Sequence, residues 1–272
     1  MSYTIPIGPY HPALEEPIHA RLTVDGERIT DAEVFVGYNH RGIERLAQER
    51  NFIQTLVLVE RVCGICSHSH SLTYALCIEH IAGMEVPKRG QYIRVIIEEL
   101  ERIHSHLLWL GIACHIVGHD SLFMQCWNDR EGTMDVLEAL TGNRVNYGMN
   151  IIGGARRDFT DDQRRDLMAA MDDLEQRMGP ITHWLTHDKT LAMRTKGVGI
   201  LTREDAIRLG AVGPHARASG VDMDVRRDAP YSSYEDFDFK VPVQESGDVY
   251  ARVVIRVLEI YESIKIIRMN IT

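Results

Sequence analysis

The sequence predicts a mainly α fold (α+β), a helical bundle with a small antiparallel β unit at its N-terminus. Two observations carry this prediction: apolar and polar residues alternate before residue 41, and apolar residues recur at helical spacing over most of the rest. At 272 residues the chain can bury a sizeable core. We predict one domain, residues 1–272, with the β unit in 1–40 and the helical core in 41–272.

The β unit is predicted from a hairpin signal. Residues 19–24 alternate toward Asp25-Gly26, and residues 29–36 alternate back. An Asp-Gly pair between two alternating runs favours a tight hairpin turn, because glycine accepts a positive φ. The Gly8-Pro9 step breaks regular structure before the hairpin.

Helical spacing starts at Gly42. One predicted helix covers 52–60, and a second covers 72–81 and ends at Gly83. The longest predicted helix follows, and its apolar face consists of Ile93, Ile96, Ile97, Leu100, Ile103, Leu107 and Leu108. Its charged residues fall on the other side: Arg94, Glu98, Glu99, Glu101 and Arg102. We expect a core helix, in which His104 and His106 pack or form hydrogen bonds rather than bind metal.

Three more helices are predicted in the next part of the chain. A short one covers 130–140. Thr160 and Gln163 form a capping box for another, which we expect to break at Gly179-Pro180 and to resume through Trp184. A third, short helix starts at Thr202.

Residues 213–243 are predicted to be irregular, because prolines, glycines and charged residues interrupt every regular spacing there. A loop of this length inside a compact domain usually has a function or covers an interface. We therefore expect it, together with the surroundings of Cys63, to face a partner subunit. Asp248 can cap the last predicted helix, whose apolar face runs to Ile267.

The composition narrows the class of protein. The net charge of −9, with Lys and Arg spread along the chain, argues against nucleic acid as a partner. No apolar run approaches the roughly 20 residues that span a bilayer, and the N-terminus lacks a secretory signal, so we expect no direct membrane span. Five cysteines, an odd number, suit a reducing cytoplasm.

Cys63 and Cys66 form the most chemically informative motif. Two thiols at this spacing can bind one soft metal ion, and a helix N-terminus just after them favours the thiolate form. The other three cysteines are single, and helices rather than a βαβ unit flank the pair. The spacing alone leaves three roles open: a structural metal site, a redox-active metal site, and a thiol pair with another role. The adjacent acids Glu15 and Glu16 are usually solvated in such a loop.

An ordered set of motifs resembles one known family over essentially the whole chain. The motifs are Gly8-Pro9-Tyr10-His11-Pro12, Asp25-Gly26-Glu27, Gly37-Tyr38-Asn39-His40-Arg41-Gly42, Arg61-Val62-Cys63-Gly64-Ile65-Cys66, Arg217-Ala218-Ser219-Gly220 and Asp224-Val225-Arg226. They resemble the large subunit of energy-converting, membrane-bound nickel-iron hydrogenases. They also resemble its homologue, the 49-kDa-type quinone-site subunit of respiratory complex I.

The resemblance implies a nickel-iron centre and reversible oxidation of dihydrogen. Cys63 matches a terminal nickel thiolate and Cys66 a bridging one, and His70 matches the imidazole that supports the bridging thiolate. Glu16 matches an acid that resembles a proton relay, whereas Glu15 falls where the complex I branch tends to carry a histidine. Electrons would pass to an iron-sulfur cluster in a small partner subunit. Other hydrophilic and membrane subunits would hold the chain in the cytoplasm, peripheral to the inner face of the cell membrane.

The family's second Cys-x-x-Cys pair is absent from the sequence up to Thr272. Only half of the thiolate ligands are therefore present, and we expect the isolated chain to be inactive. One alternative is a complex I-type NADH:quinone oxidoreductase subunit that lines a quinone-type cavity without nickel. Another is a non-catalytic scaffold in which the two thiols form a zinc half-site.

Overall fold

A computed structural model describes residues 2–12, 14 and 16–271. The contacts divide the chain into two compact units, Met1–Asn51 and Phe52–Thr272. Helices account for 59% of the described residues, and one small antiparallel sheet lies near the N-terminus. The predicted mainly α fold class is confirmed.

The first unit contains a three-stranded antiparallel sheet with β2 in the centre. Its strands are β1 (Ser2–Ile7), β2 (His19–Asp25) and β3 (Arg28–Phe35). Asp25 pairs with Arg28, so the turn is made by Gly26, at φ 62°, and Glu27. The predicted hairpin is confirmed. One helix, α1 (Ile43–Gln48), follows in this unit.

The second unit begins with four helices: α2 (Phe52–Val59), α3 (Ser67–Ala82), α4 (Lys88–Ile116) and α5 (Asp120–Thr141). As predicted, α3 ends at Gly83, which adopts a left-handed conformation at φ 62°. α5 begins at Asp120, before the predicted start at residue 130. The reason is an unusual cap, because the Nδ1 atom of His119 accepts the Leu122 amide at 3.4 Å.

A short hairpin and a long helix follow. The hairpin pairs β4 (Asn150–Ile151) with β5 (Gly154–Ala155), and α6 covers Asp161–His187. The predicted capping box of Thr160 and Gln163 is confirmed at the start of α6. The predicted break at Gly179-Pro180 is wrong, because α6 continues through Pro180. Buried side chains on both sides of the proline, including Met178 and Ile181, keep the helix on the core.

The rest of the second unit consists of α7 (Lys189–Thr195), α8 (Arg203–Arg208), α9 (Gly213–Ala218), α10 (Val225–Asp228), a 3₁₀ turn (Tyr234–Asp236) and α11 (Val249–Ile271). The 213–243 tract, predicted to be irregular, thus contains α9, α10 and the 3₁₀ turn. The predicted cap of the last helix is confirmed, since Asp248 Oδ1 accepts the Ala251 amide at 2.8 Å.

Four helices enclose the core of the second unit. α4 packs against α5 and α11, and α6 also packs against α5 and α11. Apolar side chains from all four fill the space between them. α3 is joined to α4 by the buried ion pair of Glu79 and Arg94. Among the described residues, no helix has both the length and the apolarity needed to cross a bilayer.

Candidate metal centre

Cys63 and Cys66 lie in the turn that connects α2 to α3. The amides of Arg61 and Val62 donate to carbonyls at the end of α2, which turns the chain back toward α3. Cys66 is the N-cap residue of α3, and its carbonyl accepts the His70 amide at 3.3 Å. The cysteine pair therefore stands at a helix N-terminus.

The Cys63 sulfur is held by the backbone of this turn. The Ile65 and Cys66 amides donate to Cys63 Sγ at 3.4 and 3.3 Å. Both cysteines are half-buried, and neither they nor Cys77, Cys114 or Cys126 form a disulfide. Two backbone amides therefore fix the position of the Cys63 sulfur.

The Cys66 thiol is different. Burial raises its pKa above the ordinary value, and the neighbouring Cys63 and the carboxyl groups of Glu101 and Glu98 raise it further. The expectation that the helix N-terminus makes Cys66 acidic is therefore wrong, because burial and negative neighbours outweigh it. A metal that binds here must displace the proton of Cys66.

A buried glutamate binds the first amides of α3. Glu101, on α4, accepts the His68 amide at 2.7 Å, the Ser69 amide at 3.0 Å and the Ser69 hydroxyl at 2.7 Å. These amides have no partner within the helix, so a carboxyl group from α4 satisfies them. Glu101 thereby fixes the start of α3, and with it the position of Cys66.

His68 is fully buried and connects three elements. Its Nδ1 accepts from the Asn150 amide group at 3.2 Å, and its Nε2 donates to the Arg94 carbonyl at 3.0 Å. Burial lowers the pKa of His68 to about 3, so its ring is neutral at physiological pH. His68 therefore holds α3 against α4 and β4 as an uncharged group.

Two family models match consecutive parts of the chain. The model described as nickel-dependent hydrogenase matches residues 41–112, which include Cys63 and Cys66. The model described as respiratory-chain NADH dehydrogenase, 49 Kd subunit, matches residues 117–272.

Curated relatives extend this match over nearly the whole chain. The membrane-bound hydrogenase subunit alpha of Pyrococcus furiosus is 44% identical over 97% of this chain, which spans 63% of that protein. The carbon monoxide-induced hydrogenase of Rhodospirillum rubrum is 44% identical over 98% of this chain and 74% of its own length. A subunit of the NADH-quinone oxidoreductase of Clostridium beijerinckii is 40% identical over 97% of this chain and 72% of its own length.

The chain belongs to the family of nickel-dependent hydrogenase and 49 Kd NADH dehydrogenase subunits. The resemblance found in the sequence motifs is thus confirmed. The chain spans less than two thirds of the Pyrococcus furiosus relative.

The nickel-dependent hydrogenase family implies a nickel-iron centre, and Cys63 and Cys66 lie within the segment that matches its model. Two sulfurs on one turn suit a soft or borderline metal such as nickel. Among the described residues, no group of three or more His, Cys, Asp or Glu side chains is arranged to hold a metal ion. By its chemistry the pair could supply two thiolates to such a metal.

His70 and Glu16, the other predicted site residues, lie in different compact units of the chain. His70 lies in the first turn of α3, half-buried, one helical turn after Cys66. Glu16 belongs to the first compact unit, where its Oε2 accepts from the Asn39 side chain at 2.7 Å. Glu15 lies outside the described residues. The role of Glu16 as a proton relay stays a prediction.

Sequence reasoning missed the buried polar groups around the cysteine pair. Glu98 and Glu101 were assigned to the polar side of α4, yet both are buried, as is Glu60 at the end of α2. A signal was available in the sequence, because α4 is long enough for other helices to enclose its charged side as well as its apolar face. Such a pattern indicates buried charges with partners elsewhere in the chain.

Proposed function

We propose that this chain is the large, catalytic subunit of a membrane-associated nickel-iron hydrogenase, which oxidises dihydrogen and reduces protons reversibly. The observation that carries the proposal is the pair of half-buried thiols at the start of α3, within the residues that match the nickel-dependent hydrogenase model. When bound, a nickel-iron centre would supply the Lewis acid and the redox chemistry for dihydrogen.

The chain's own residues would bind and orient this centre. Cys63 would be a terminal nickel ligand and Cys66 a bridging one, with His70 supporting the bridging sulfur. Glu101 holds the amides of α3 at 2.7 and 3.0 Å, so Cys66 has little freedom to move. A rigid first turn keeps both sulfurs in place when a metal arrives.

Glu16 would move the proton. Pro17 restricts the backbone of Glu16 to extended conformations, and Asn39 holds its carboxyl group by one hydrogen bond. In the complete enzyme, Glu16→Gln should lower turnover by about two orders of magnitude at unchanged metal content, because a positioned acid or base contributes that much. Glu15→Gln should have a much smaller effect. Wild-type turnover by Glu16→Gln at equal nickel content would remove Glu16 from the mechanism.

The proposal includes partners and a location. A small subunit with an iron-sulfur cluster would accept the electrons, and further hydrophilic and membrane subunits would complete a complex I-like assembly. The relatives' names support such an assembly, since one is a subunit of a membrane-bound hydrogenase and another is a subunit of an NADH-quinone oxidoreductase. The chain would then lie on the cytoplasmic side, peripheral to the inner face of the cell membrane.

A second candidate function is an NADH:quinone oxidoreductase subunit that lines a quinone-type cavity without nickel. The observation that favours it is the match of residues 117–272 to the 49 Kd subunit model. The cysteine pair, which lies outside that segment, would then have no metal to hold.

Metal analysis of the complex purified from its host separates the possibilities. We expect nickel and iron in the wild-type complex, and loss of nickel in Cys63→Ser and Cys66→Ser. Cys77→Ser is a matched control, because Cys77 is an exposed cysteine on α3, the helix that follows the pair. Zinc alone would support a scaffold with a zinc half-site, and a complex without metal at this chain would favour the quinone-type function.

A further inference from the structure

Two buried carboxyl groups of α4 share one hydroxyl group. Ser69 Oγ lies 2.7 Å from Glu101 Oε1 and 3.1 Å from Glu98 Oε1. Both glutamates are at most 7% exposed. Neither one has a hydrogen bond to Cys63 or Cys66 among the described residues, so this pair is a site of its own next to the cysteine turn.

The single hydroxyl proton of Ser69 indicates which of the two carboxyl groups is protonated. The Ser69 hydroxyl has one proton, so it can donate to only one of the two carboxyl oxygens. Glu101 already accepts two amides at the helix N-terminus, which favours its ionised form. The Ser69 hydroxyl therefore donates its hydrogen bond to Glu101. The 3.1 Å contact with Glu98 is then a hydrogen bond only if Glu98 carries a proton and donates it to Ser69 Oγ.

The other oxygen of Glu98 leads to the same assignment. Glu98 Oε2 is buried and has no hydrogen-bond donor among the described residues. A buried carboxylate oxygen without a donor is costly, whereas the carbonyl oxygen of a neutral acid is much less so. The nearest cation, Arg102, is 4.0 Å from Glu98 Oε1 and is bound more closely by Glu99.

We propose that Glu98, Ser69 and Glu101 hold one exchangeable proton between two carboxyl groups, and that this trio is a second proton-handling site of the subunit, separate from Glu16. Its use in hydrogen chemistry rests on the proposed function, whereas the shared proton does not. In the transfer step, Glu98 gives its proton to Ser69 Oγ while the Ser69 proton moves to Glu101. One proton crosses from one carboxyl group to the other, and no other bond changes.

The surroundings keep the shared proton in place near neutral pH. Burial raises the pKa of both carboxyl groups, and repulsion between the two when both are ionised raises that of Glu101 further, to about 8, so the pair keeps one proton at neutral pH. The charged and titratable groups that face the pair come from several elements of the second unit: Cys66 at the N-cap of α3, Glu99 and Arg102 on α4, Tyr147 before β4, and Arg226, Tyr231 and Tyr234 in the 213–243 tract. Arg102 and Arg226 are bound more closely by Glu99, so among the described residues the one ion pair of this glutamate pair is the 4.0 Å contact between Glu98 and Arg102.

Infrared spectroscopy of the purified complex tests the assignment without relying on turnover. The wild-type complex should show the carbonyl stretch of a protonated carboxylic acid at pH 7, and this band should disappear as the pH rises through about 8. Glu98→Gln should lack the band, and Glu101→Gln should keep it. Glu204→Gln, at an exposed position on α8, should match the wild type.

A second variant keeps the test decisive if Glu98→Gln does not assemble. Ser69→Ala removes the hydroxyl group that accepts the Glu98 proton, so the acid band should persist at a shifted frequency. A wild-type spectrum without this band at pH 7, an equal band in Glu98→Gln, or an unshifted band in Ser69→Ala would overturn the proposal. Nickel content, measured on the same samples, reports separately on the hydrogenase function.

Where the complex has hydrogenase activity, Glu98→Gln should lower turnover by tenfold or more at unchanged nickel content, with a larger solvent isotope effect, as expected for a disturbed proton transfer. Glu204→Gln should leave both quantities unchanged. Wild-type turnover and isotope effect in Glu98→Gln would remove the trio from the reaction.

Discussion

Glu98 and Glu99 are neighbours on α4, and both are buried, yet their environments differ. Burial raises the pKa of Glu98, and the nearby Arg102 does not compensate. At Glu99 the same burial is outweighed by Arg102 and Arg226, with Ser263 and Tyr234 as donors, and the pKa falls to about 2. The environment of Glu98 therefore favours the neutral acid, whereas that of Glu99 favours the anion. Partners, and not burial, decide the charge of a buried carboxyl group.

Glu99 belongs to a paired ionic cluster that joins the 213–243 tract to the bundle. Arg226 Nη1 donates to Glu99 at 3.0 Å, and Arg226 Nη2 donates to Asp224 at 2.7 Å. Arg217 continues the cluster, since its Nε donates to Glu259 on α11 at 2.7 Å. Every carboxylate in this series faces an arginine. The cluster is therefore suited to stabilise the packing of the 213–243 tract on the bundle, whereas the Glu98, Ser69 and Glu101 trio is suited to retain a proton.

The largest expected effect comes from breaking the paired cluster. Arg226→Met leaves Glu99 and Asp224 buried without their shared cation, so the free energy of unfolding should fall by about 3–5 kcal/mol. Arg227→Met is the matched control, because the exposed Arg227 pairs with Asp222 and Asp228 at the surface, and it should cost less than about 1 kcal/mol. Urea unfolding of both variants measures the difference. Equal losses would mean that the cluster does not hold the tract.

A smaller contrast is expected between the two glutamates themselves. Glu99→Gln removes a charge that accepts hydrogen bonds from Arg226, Ser263 and Tyr234, and should cost about 2–3 kcal/mol at pH 7. Glu98→Gln replaces a neutral acid by a neutral amide of similar shape, and should cost less than about 1 kcal/mol. Urea unfolding of the two variants measures this difference. If Glu98→Gln costs as much as Glu99→Gln, Glu98 is an anion in the folded protein.

The smallest expected effect is a dependence of the free energy of unfolding on pH. The folded pair keeps a proton up to about pH 8 that unfolded carboxyls, with pKa values near 4.5, have released. The folded state therefore binds more protons than the unfolded state, and stability falls as the pH rises, by at most about 1.4 kcal/mol per pH unit. The window from pH 6.5 to 8 isolates this effect, because the buried His68 and His104, with pKa values lowered to about 3, act in the opposite direction below it.

Denaturation of the wild type and Glu98→Gln across that window provides the measurement. The slope should be largely lost in Glu98→Gln, where Glu101 has no carboxyl neighbour, and kept in Glu204→Gln. A wild-type stability that rises from pH 6.5 to 8 would contradict a shared proton in the core.

Local signals predicted the parts of the fold that local chemistry determines. Asp25-Gly26 fixed the hairpin, Gly83 the end of α3, and the capping box of Thr160 and Gln163 the start of α6. Pro180 was misjudged because packing on the core, and not the local sequence, decides whether a helix passes a proline.

The candidate site was predictable only where its residues are close in sequence. Cys63 and Cys66 belong to one short motif, so their spacing showed them. Glu101 and the His68 amide are 33 residues apart, and Glu99 and Ser263 are 164 apart. Two family motifs had no assigned role in the sequence, those that contain Arg217 and the pair Asp224 and Arg226. The structure places these residues in the ionic cluster.

X-ray absorption at the nickel edge of the purified complex tests the central claim most directly, namely that Cys63 and Cys66 are metal ligands. The wild type and Cys77→Ser should show the same sulfur coordination of nickel, since Cys77 lies exposed further along α3. Cys63→Ser and Cys66→Ser should lose sulfur ligands or the metal itself. Identical nickel spectra, at full occupancy, in the wild type and both of these variants would contradict the claim.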